Sequence, residues 1–568
     1  MPTLRPGLAV GLGAGLQLAI VFAVSLAGLG GLIGWLQNVH VITANGMFKS
    51  IQAEPWMRDF AHARLDPSNY LYFPLYGALA NLLDWLGVAR GQAWKQFAYL
   101  NAIWASIANV MVYAFVHRLS GSARVAALAT LFHIGCGTVL LLAVINEDIM
   151  PGYALLLGSM LLAGLWFGRP THGRVIAVAI LFTLGWLIEW RLMFPTLPAF
   201  GLALLLADLP LRRRLALVAT LLISIVATAG IVQQIWEGHA GAVGLHDLLW
   251  TGKGVTSGWG GFDLDKLWMM LGGVGNYLVL LGSFPLPQDS RAAWLPLSLS
   301  AVAQSAVFVV AAAVLWPRRQ EPLVRTIAVV FLGTLAAGQV LNIYSQPHDP
   351  QMQVNVMPWL TVAWAAILAA VLARPDEASA LAPPRPATVA LFTVLSFVPL
   401  AANAFQLAQW REGDVRAIAA LGELERRFPP DRTVFLYLGF EPAIIWHYSL
   451  WSRNWDWDGQ VDIAPAPSAT PRFKWIAVTA AAVRRPAWTG TQHAEFLKRD
   501  IDLALARGYD VIASDVWSWS ESELAQAFGP LSASARAPAV YAVLHDNFTG
   551  ERIFTDALGV TYYRLRRR

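Results

Sequence analysis

The sequence contains few charged residues and a single cysteine. Only 14% of its 568 residues are Asp, Glu, Lys or Arg, whereas an ordinary soluble domain has about 25%. With Cys136 alone, an intramolecular disulfide and a cysteine-based metal site are both excluded. Because 56% of the residues are hydrophobic, one soluble core could not bury the apolar surface. The composition therefore predicts a polytopic α-helical membrane protein.

Several functional patterns are also missing. The net charge of +5 comes from basic residues that are dispersed among apolar runs, so the sequence gives no reason to expect a nucleic-acid partner. No glycine-rich phosphate loop follows a predicted strand, and no spacing matches a specific zinc pattern. The chain also lacks the internal repeat that is expected of many lipid or glycolipid transporters.

Apolar runs long enough to cross a bilayer recur through the first 406 residues. We expect about eleven spans, with the N-terminus inside and the C-terminus outside. The first is predicted to be a retained span that follows Arg5, not a cleaved signal peptide. The runs are residues 8–36, 94–117, 122–144, 149–167, 174–190, 194–209, 213–235, 296–316, 324–344, 356–373 and 388–406.

Short basic loops between these runs orient the chain, because Lys and Arg in short loops mark the cytoplasmic side. The loops contain Arg118 and Arg124, Arg169 and Arg174, Arg212 to Arg214, Arg318, Arg319 and Arg325, and Arg374 and Arg385. If the further run 71–88 crossed the membrane, the later basic loops would face outward. That run is therefore predicted to be an interfacial or re-entrant helix.

After residue 406 the composition becomes that of a soluble domain. Predicted strands at 434–438, 475–479, 510–514 and 560–565 alternate with predicted helices at 413–427, 492–507 and 521–528. We therefore expect a transmembrane domain at 1–406, with outer loops at 37–93 and 236–295. A periplasmic or other extracytoplasmic α/β domain is expected at 407–568.

The first outer loop interleaves charged and aromatic residues. Aromatic faces stack on sugars, carboxylates accept hydroxyl protons and arginine pairs with phosphate, so the loop suits a sugar or lipid-phosphate site. An interfacial aromatic belt with ordinary surface charges is the alternative. The candidate residues are Glu54, Arg58, Asp59, Asp66, Tyr72 and Tyr76.

Glu147 and Asp148 lie in a very short outer loop where a span begins. One of them could simply cap a helix, where a negative charge is favourable. Two carboxylates so close repel each other, and this repulsion raises the proton affinity of one of them, as a general base requires. The pair is therefore a candidate catalytic site.

Two further outer motifs contain polar groups. Arg191 follows Glu189 between apolar runs, where the two could form a salt bridge or Arg191 could bind a lipid phosphate. His348, Asp349 and Gln351 lie in a short loop that could be a polar turn. Their density of hydrogen-bonding groups favours a binding role.

Taken together, these segments resemble the GT-C superfamily of integral-membrane glycosyltransferases, which includes protein mannosyltransferases, lipid A aminoarabinose transferases and oligosaccharyltransferases. A first span leads to a long acidic outer loop, as in that superfamily. The resembling segments are Tyr72-Phe73-Pro74-Leu75-Tyr76-Gly77, the basic loop from Arg118 to Arg124, Asn146-Glu147-Asp148-Ile149-Met150-Pro151 and Trp190-Arg191-Leu192-Met193-Phe194-Pro195. One departure is Asn45, which stands where the family usually has an aspartate.

The resemblance implies transfer of a sugar from a polyprenyl-phosphate donor to a lipid, glycan or protein acceptor, at the outer face of a bacterial-type inner membrane. It implies an inverting reaction in which Asp59 or Glu54 is the base, and Glu147 and Asp148 position the acceptor or a metal. Arg58 and Arg191 would hold phosphate, and a divalent metal such as Mg²⁺ or Mn²⁺ could assist. A lipid or glycolipid transporter and a non-catalytic assembly partner are the alternatives; Asn45 favours the latter.

Overall fold

The computed structural model describes most of the chain, and its residues fall into two compact units that meet in sequence between Gln409 and Trp410. The described residues are 12–36, 56–57, 63, 70–90, 93–189, 193–236, 262, 264–280, 291–344, 349–372, 385–429, 431–437, 474–478, 488–528 and 536–568.

The first unit is built from helices, and each predicted apolar run contains one; the last of these helices continues beyond Gln409 into the second unit. The helices are α1 (Leu12–Leu36), α2 (Tyr72–Trp85), α3 (Ala93–Ser120), α4 (Ala123–Gly135), α5 (Gly137–Val144), α6 (Ile149–Trp166), α7 (His172–Ile188), α8 (Met193–Leu205), α9 (Leu211–Ile235), α10 (Asp265–Leu278), α11 (Arg291–Leu315), α12 (Pro322–Tyr344), α13 (Pro350–Gln353), α14 (Pro358–Leu372) and α15 (Pro386–Arg427). The chain is thus a multi-pass α-helical membrane protein.

In the described part of the chain, seven helices are long and apolar enough to cross a membrane, and the bent pair α4 and α5 raises the number to eight. Three predicted spans form helices of fewer than 18 residues, namely α7, α8 and α14. The count of eleven therefore stays a prediction. The run 71–88 forms α2, whose 14 residues extend about 21 Å, too short to cross a core about 30 Å thick.

A sharp break at Cys136 separates α4 from α5, and the two helices meet at 71°. Asn403 of α15 holds this break from the side. Its amide nitrogen donates to the oxygens of Gly135 at 2.7 Å and Leu278 at 2.9 Å, and its oxygen accepts from the Leu280 nitrogen at 2.7 Å. These bonds satisfy backbone groups that the interrupted helices leave unpaired, which is the requirement for a break at membrane depth.

The predicted outer loop at 236–295 contains α10. Two polar residues of α11 donate to backbone oxygens near the C-terminal end of α10. Ser300 donates to the Gly275 oxygen and Gln304 to the Val274 oxygen, both at 2.6 Å. Because the final carbonyls of a helix lack partners within the helix, these contacts attach the end of α10 to α11.

The second unit contains a five-stranded sheet in the order β2-β1-β3-β5-β4. Strands β1 to β3 are parallel, whereas β5 is antiparallel to both β3 and β4. The elements are β1 (Thr433–Tyr437), β2 (Lys474–Ala477), α16 (Gly490–Ala506), β3 (Asp510–Ala513), α17 (Glu521–Phe528), α18 (Arg536–Asn547), β4 (Phe548–Thr555) and β5 (Thr561–Arg567).

The core of this unit lies between one sheet face and the helices. Val434 and Leu436 of β1 and Val511 of β3 pack there with Leu497 and Ile501 of α16. All the predicted strands and helices of the α/β pattern are present, but β4 and α18 were not predicted. The predicted last span and the predicted helix 413–427 form one continuous helix, α15, because no proline lies between them.

Candidate functional site

The acidic pair lies in a buried loop, residues 145–148, which connects α5 to α6 and is called here the carboxylate loop. Glu147 is 0% exposed and Asp148 is 1% exposed. Asp148 occupies the N-cap position of α6, but its side chain makes no capping hydrogen bond. Capping therefore does not account for its burial. Charged groups at membrane depth are costly and are usually retained for a function.

Asn101 of α3 fixes the backbone of this loop. Its amide nitrogen donates to the oxygens of Ile145 and Glu147, both at 2.7 Å. Its side-chain oxygen accepts a short hydrogen bond from the hydroxyl of Tyr76. Asn101 is fully buried, so these bonds are protected from water. One residue thus joins α2, α3 and the carboxylate loop.

Tyrosine rings from α2 lie beside the acidic pair. The ring centroids of Tyr72 and Tyr76 are 4.2 Å apart, and the ring of Phe97 packs edge-on against both. The Tyr76 hydroxyl is linked through the Asn101 side chain to the backbone oxygen of Glu147. The buried Tyr72 hydroxyl has no hydrogen-bond partner within the described ranges. Both predicted tyrosines thus lie close to the predicted carboxylates.

Glu189 lies at the same end of the helices. It is the C-cap residue of α7 and is 2% exposed. A Cβ placed on Gly185 of α7 would lie 3.1 Å from the oxygen of Gly152, so the end of α7 adjoins the start of α6. In addition, the Leu71 nitrogen donates to the Leu187 oxygen at 2.9 Å, which attaches the start of α2 to α7. The structure therefore brings together helix ends that bear three buried carboxylates.

The predicted motif near residue 349 is partly a helix start. The Asp349 side chain accepts a bond of 2.8 Å from the Gln351 nitrogen and so caps α13. Gln351 itself is buried, and Gln353, which follows it, is 0% exposed. Gln339 of α12 donates to the Gln353 side chain at 2.6 Å. The polar-turn interpretation thus applies to Asp349, while the buried glutamines need another explanation.

Six predicted site residues lie outside the described residues, as does Asn45. The six are Glu54, Arg58, Asp59, Asp66, Arg191 and His348. In the described ranges, no group of three or more His, Cys, Asp or Glu side chains is arranged to hold a metal ion. Glu147 and Asp148 alone do not form such a set. The expectation of a divalent metal stays a prediction.

Sequence reasoning missed a second buried polar group within the helices. The His133 ring contacts the Asn109 oxygen at 2.9 Å through Nδ1 and the Tyr153 hydroxyl at 2.7 Å through Nε2. Asn109 also donates to Ser25 at 3.2 Å. Together they connect α1, α3, α4 and α6. The available signal was a histidine and an asparagine inside apolar runs, where unpaired polar groups are costly.

Comparison with known proteins gives a distant structural similarity. No protein-family model matches the sequence, and no curated protein matches it. The structure is similar to two crystal structures of ArnT from Cupriavidus metallidurans, one bound to undecaprenyl phosphate and one in the apo state, each at 14% identity and a TM-score of 0.46. The first match covers 98% of each chain, and the second covers 97% of this chain and 98% of ArnT.

Proposed function

We propose that the protein is a membrane glycosyltransferase, which moves a sugar from a polyprenyl-phosphate donor to an acceptor at the outer face of a bacterial-type inner membrane. The main supporting observation is the burial of Glu147 and Asp148 beside Tyr72 and Tyr76 at one end of the membrane helices. A buried carboxylate in a water-poor site interacts strongly with nearby charges and dipoles, which suits it to acid-base or positioning chemistry.

The proposed reaction is an inverting transfer. A carboxylate removes the proton of the acceptor hydroxyl, whose oxygen then attacks the anomeric carbon of the donor sugar. The bond between that carbon and the phosphate oxygen breaks, and the polyprenyl phosphate leaves with both electrons. Asp59 or Glu54 is the proposed base, and Arg58 and Arg191 are the proposed phosphate ligands.

Glu147 and Asp148 are assigned the positioning of the acceptor. Asn101 holds the backbone of the carboxylate loop, which fixes the position from which the two side chains extend. The positive end of α6 begins directly after them, and its dipole favours a negative charge there. The adjacent rings of Tyr72 and Tyr76 offer an aromatic face and the Tyr72 hydroxyl to a bound sugar. Asp349 and Gln351, together with His348, are proposed to contact the sugar or the lipid.

The experiment follows release of undecaprenyl phosphate from radiolabelled undecaprenyl-phosphate sugars. Membranes that contain the protein supply the acceptors, and thin-layer chromatography measures the product. The variants are Asp59→Asn, Glu54→Gln, Glu147→Gln and Asp148→Asn. General base catalysis contributes about 10²–10⁴-fold, so the variant of the true base should lose at least about 100-fold in rate.

The matched control is Asp208→Asn, the same chemical change in a loop on the opposite side of the helices, where Asp208 pairs with Arg325 at 2.9 Å. Its rate should stay near that of the wild type. Near-normal rates in all four carboxylate variants would contradict the assignment. Binding of undecaprenyl phosphate without any sugar turnover would instead support the non-catalytic assembly partner.

A further inference from the structure

Side-chain amides are concentrated where α12 ends and α13 begins. This group is called here the carboxamide cluster, and it comprises Gln339, Asn342, Gln351, Gln353 and Asn355. All of its members except Gln339 are at most 6% exposed.

The cluster contains more hydrogen-bonding capacity than its members use. The Gln353 side-chain oxygen accepts from Gln339, but the side-chain nitrogen of Gln353 and the side-chain oxygen of Gln339 have no partner within the described ranges. The side-chain oxygen of Asn355 also has no hydrogen-bond partner there. Leaving a buried donor or acceptor unpaired destabilises a protein, and such groups in native structures need an explanation.

The cluster lies close to the helix ends that contain the acidic pair. The short helix α13 packs against α10 and α5, and α5 leads directly into the carboxylate loop. On the other side, a Cβ placed on Gly338 would meet Val356 and would lie 3.2 Å from Pro195 in the first turn of α8. The cluster is thus next to the start of α8, which follows Glu189 by a few residues.

We propose that the carboxamide cluster binds hydroxyl groups of the transferred sugar, with Gln353 and Gln339 as the main contacts. This proposal rests on the proposed glycosyltransferase function. A carboxamide presents both an NH₂ donor and an oxygen acceptor, and a hydroxyl group both donates and accepts. Because the cluster is uncharged, it suits neutral hydroxyls better than a phosphate, which favours arginine. It would therefore distinguish sugars and leave phosphate binding to other residues.

The test compares affinities in nanodiscs for undecaprenyl phosphate and for its glucose, mannose, galactose and arabinose esters. For the ester that the wild type binds best, we expect Gln353→Met to reduce the affinity advantage over undecaprenyl phosphate by about 10-fold or more. The affinity for undecaprenyl phosphate itself should change less than about 2-fold, which shows that the variant is folded. The matched control is Gln234→Met, the same substitution at an exposed position in the last turn of α9.

The double variant Gln339→Met/Gln353→Met tests for a purely structural role. Both partners of the 2.6 Å bond are then apolar, and such a replacement is often neutral or stabilising. If the cluster only stabilises the fold, the double variant should keep the affinity advantage of the sugar ester. If either variant keeps the full affinity advantage, or if no ester binds better than undecaprenyl phosphate to the wild type, the sugar subsite is wrong. If the wild type does not bind undecaprenyl phosphate at all, the proposed function fails, and the subsite falls with it.

Discussion

The side-chain amide of Asn101 donates a 2.7 Å hydrogen bond to the backbone oxygen of Glu147. Because the acceptor is a main-chain oxygen, the bond fixes the backbone from which the Glu147 side chain extends and does not involve the carboxylate oxygens. The side-chain oxygen of Asn101 accepts from Tyr76, whose ring lies 4.2 Å from that of Tyr72, centroid to centroid. A single buried amide therefore sets the position of the acidic pair relative to the aromatic face.

We expect Asn101→Leu to lower the turnover rate in the transfer assay. The leucine cannot hold the oxygens of Ile145 and Glu147, and a displacement of about 1 Å at a reacting group can cost about 100-fold in rate. Because the substitution acts through position, kcat should fall more than KM rises. Steady-state transfer kinetics with a radiolabelled donor measure both constants.

The control for Asn101 is Ser106→Ala on the same helix. Ser106 is also fully buried, but its hydroxyl bonds to the oxygen of Ala102 within α3 at 2.7 Å. That variant removes a buried polar group without touching the carboxylate loop, so its kinetics should resemble the wild type. Equal effects of the two substitutions would show that Asn101 acts only through helix stability.

The sequence predicted the membrane helices because their signal is local. An apolar run of sufficient length must form a helix in a bilayer, and the basic loops mark its ends. The acidic pair was also visible, since two adjacent charges between apolar runs are rare. The role of Asn101 was not visible, because its partners Ile145 and Glu147 lie more than forty residues away. The 71° break at Cys136 depends likewise on Asn403, which is distant in sequence.

The missed strand β4 illustrates a second limit. Its residues Phe548–Thr555 are mostly exposed or half-exposed, and they include Gly550. An edge strand of this kind lacks the apolar alternation from which strands are predicted. Its pairing with β5 and the packing of Gly550 against the Trp517 indole define it in three dimensions.

A second prediction concerns the packing at the helix break. A Cβ placed on Gly137 would lie 2.9 Å from the oxygen of Asn276 and from the backbone nitrogen of Leu280. Backbone atoms cannot move aside as a flexible side chain can, so we expect Gly137→Ala to destabilise the protein by about 1–3 kcal/mol. Thermal unfolding in detergent micelles measures the change.

The comparison for this variant is Gly230→Ala in α9, where a Cβ would meet nothing within 4 Å. Alanine has the higher helix propensity, so that variant should be neutral or more stable by up to about 1 kcal/mol. If both alanine variants unfold at the same temperature, the close approach at Gly137 has no energetic consequence.

A third prediction tests the proposed orientation. Because the native Cys136 is buried, new cysteines can be labelled selectively in intact spheroplasts with a membrane-impermeant maleimide. Ser522→Cys, at an exposed position of α17, should react, since the C-terminal domain is proposed to lie outside. Gln320→Cys, at an exposed position of the basic segment between α11 and α12, should react only after permeabilisation. The reverse pattern would overturn the orientation.

The last prediction concerns pH and the second unit. His493 of α16 is 1% exposed, and its Nε2 lies 2.7 Å from the oxygen of Val478. Burial lowers the pKa of His493 from its ordinary value of 6.5, and the charge of Arg536 lowers it further, while the hydrogen bond to Val478 opposes both. In the unfolded chain this histidine gains a proton as the pH falls below about 6.5, but in the folded domain it gains one only at lower pH.

At low pH the unfolded state therefore binds more protons than the folded state. The free energy of unfolding should decrease as the pH is lowered from 7.5 to 5.5, each about one unit from the ordinary pKa of 6.5. Hydrogen exchange of α16, corrected for the intrinsic effect of pH, measures this loss in the full chain. His493→Gln keeps an N–H donor for Val478 but does not titrate, so its exchange should depend less on pH. His545, whose pKa burial also lowers, stays in both proteins and contributes equally to them. An identical pH dependence with and without His493 would mean that its burial is not linked to folding.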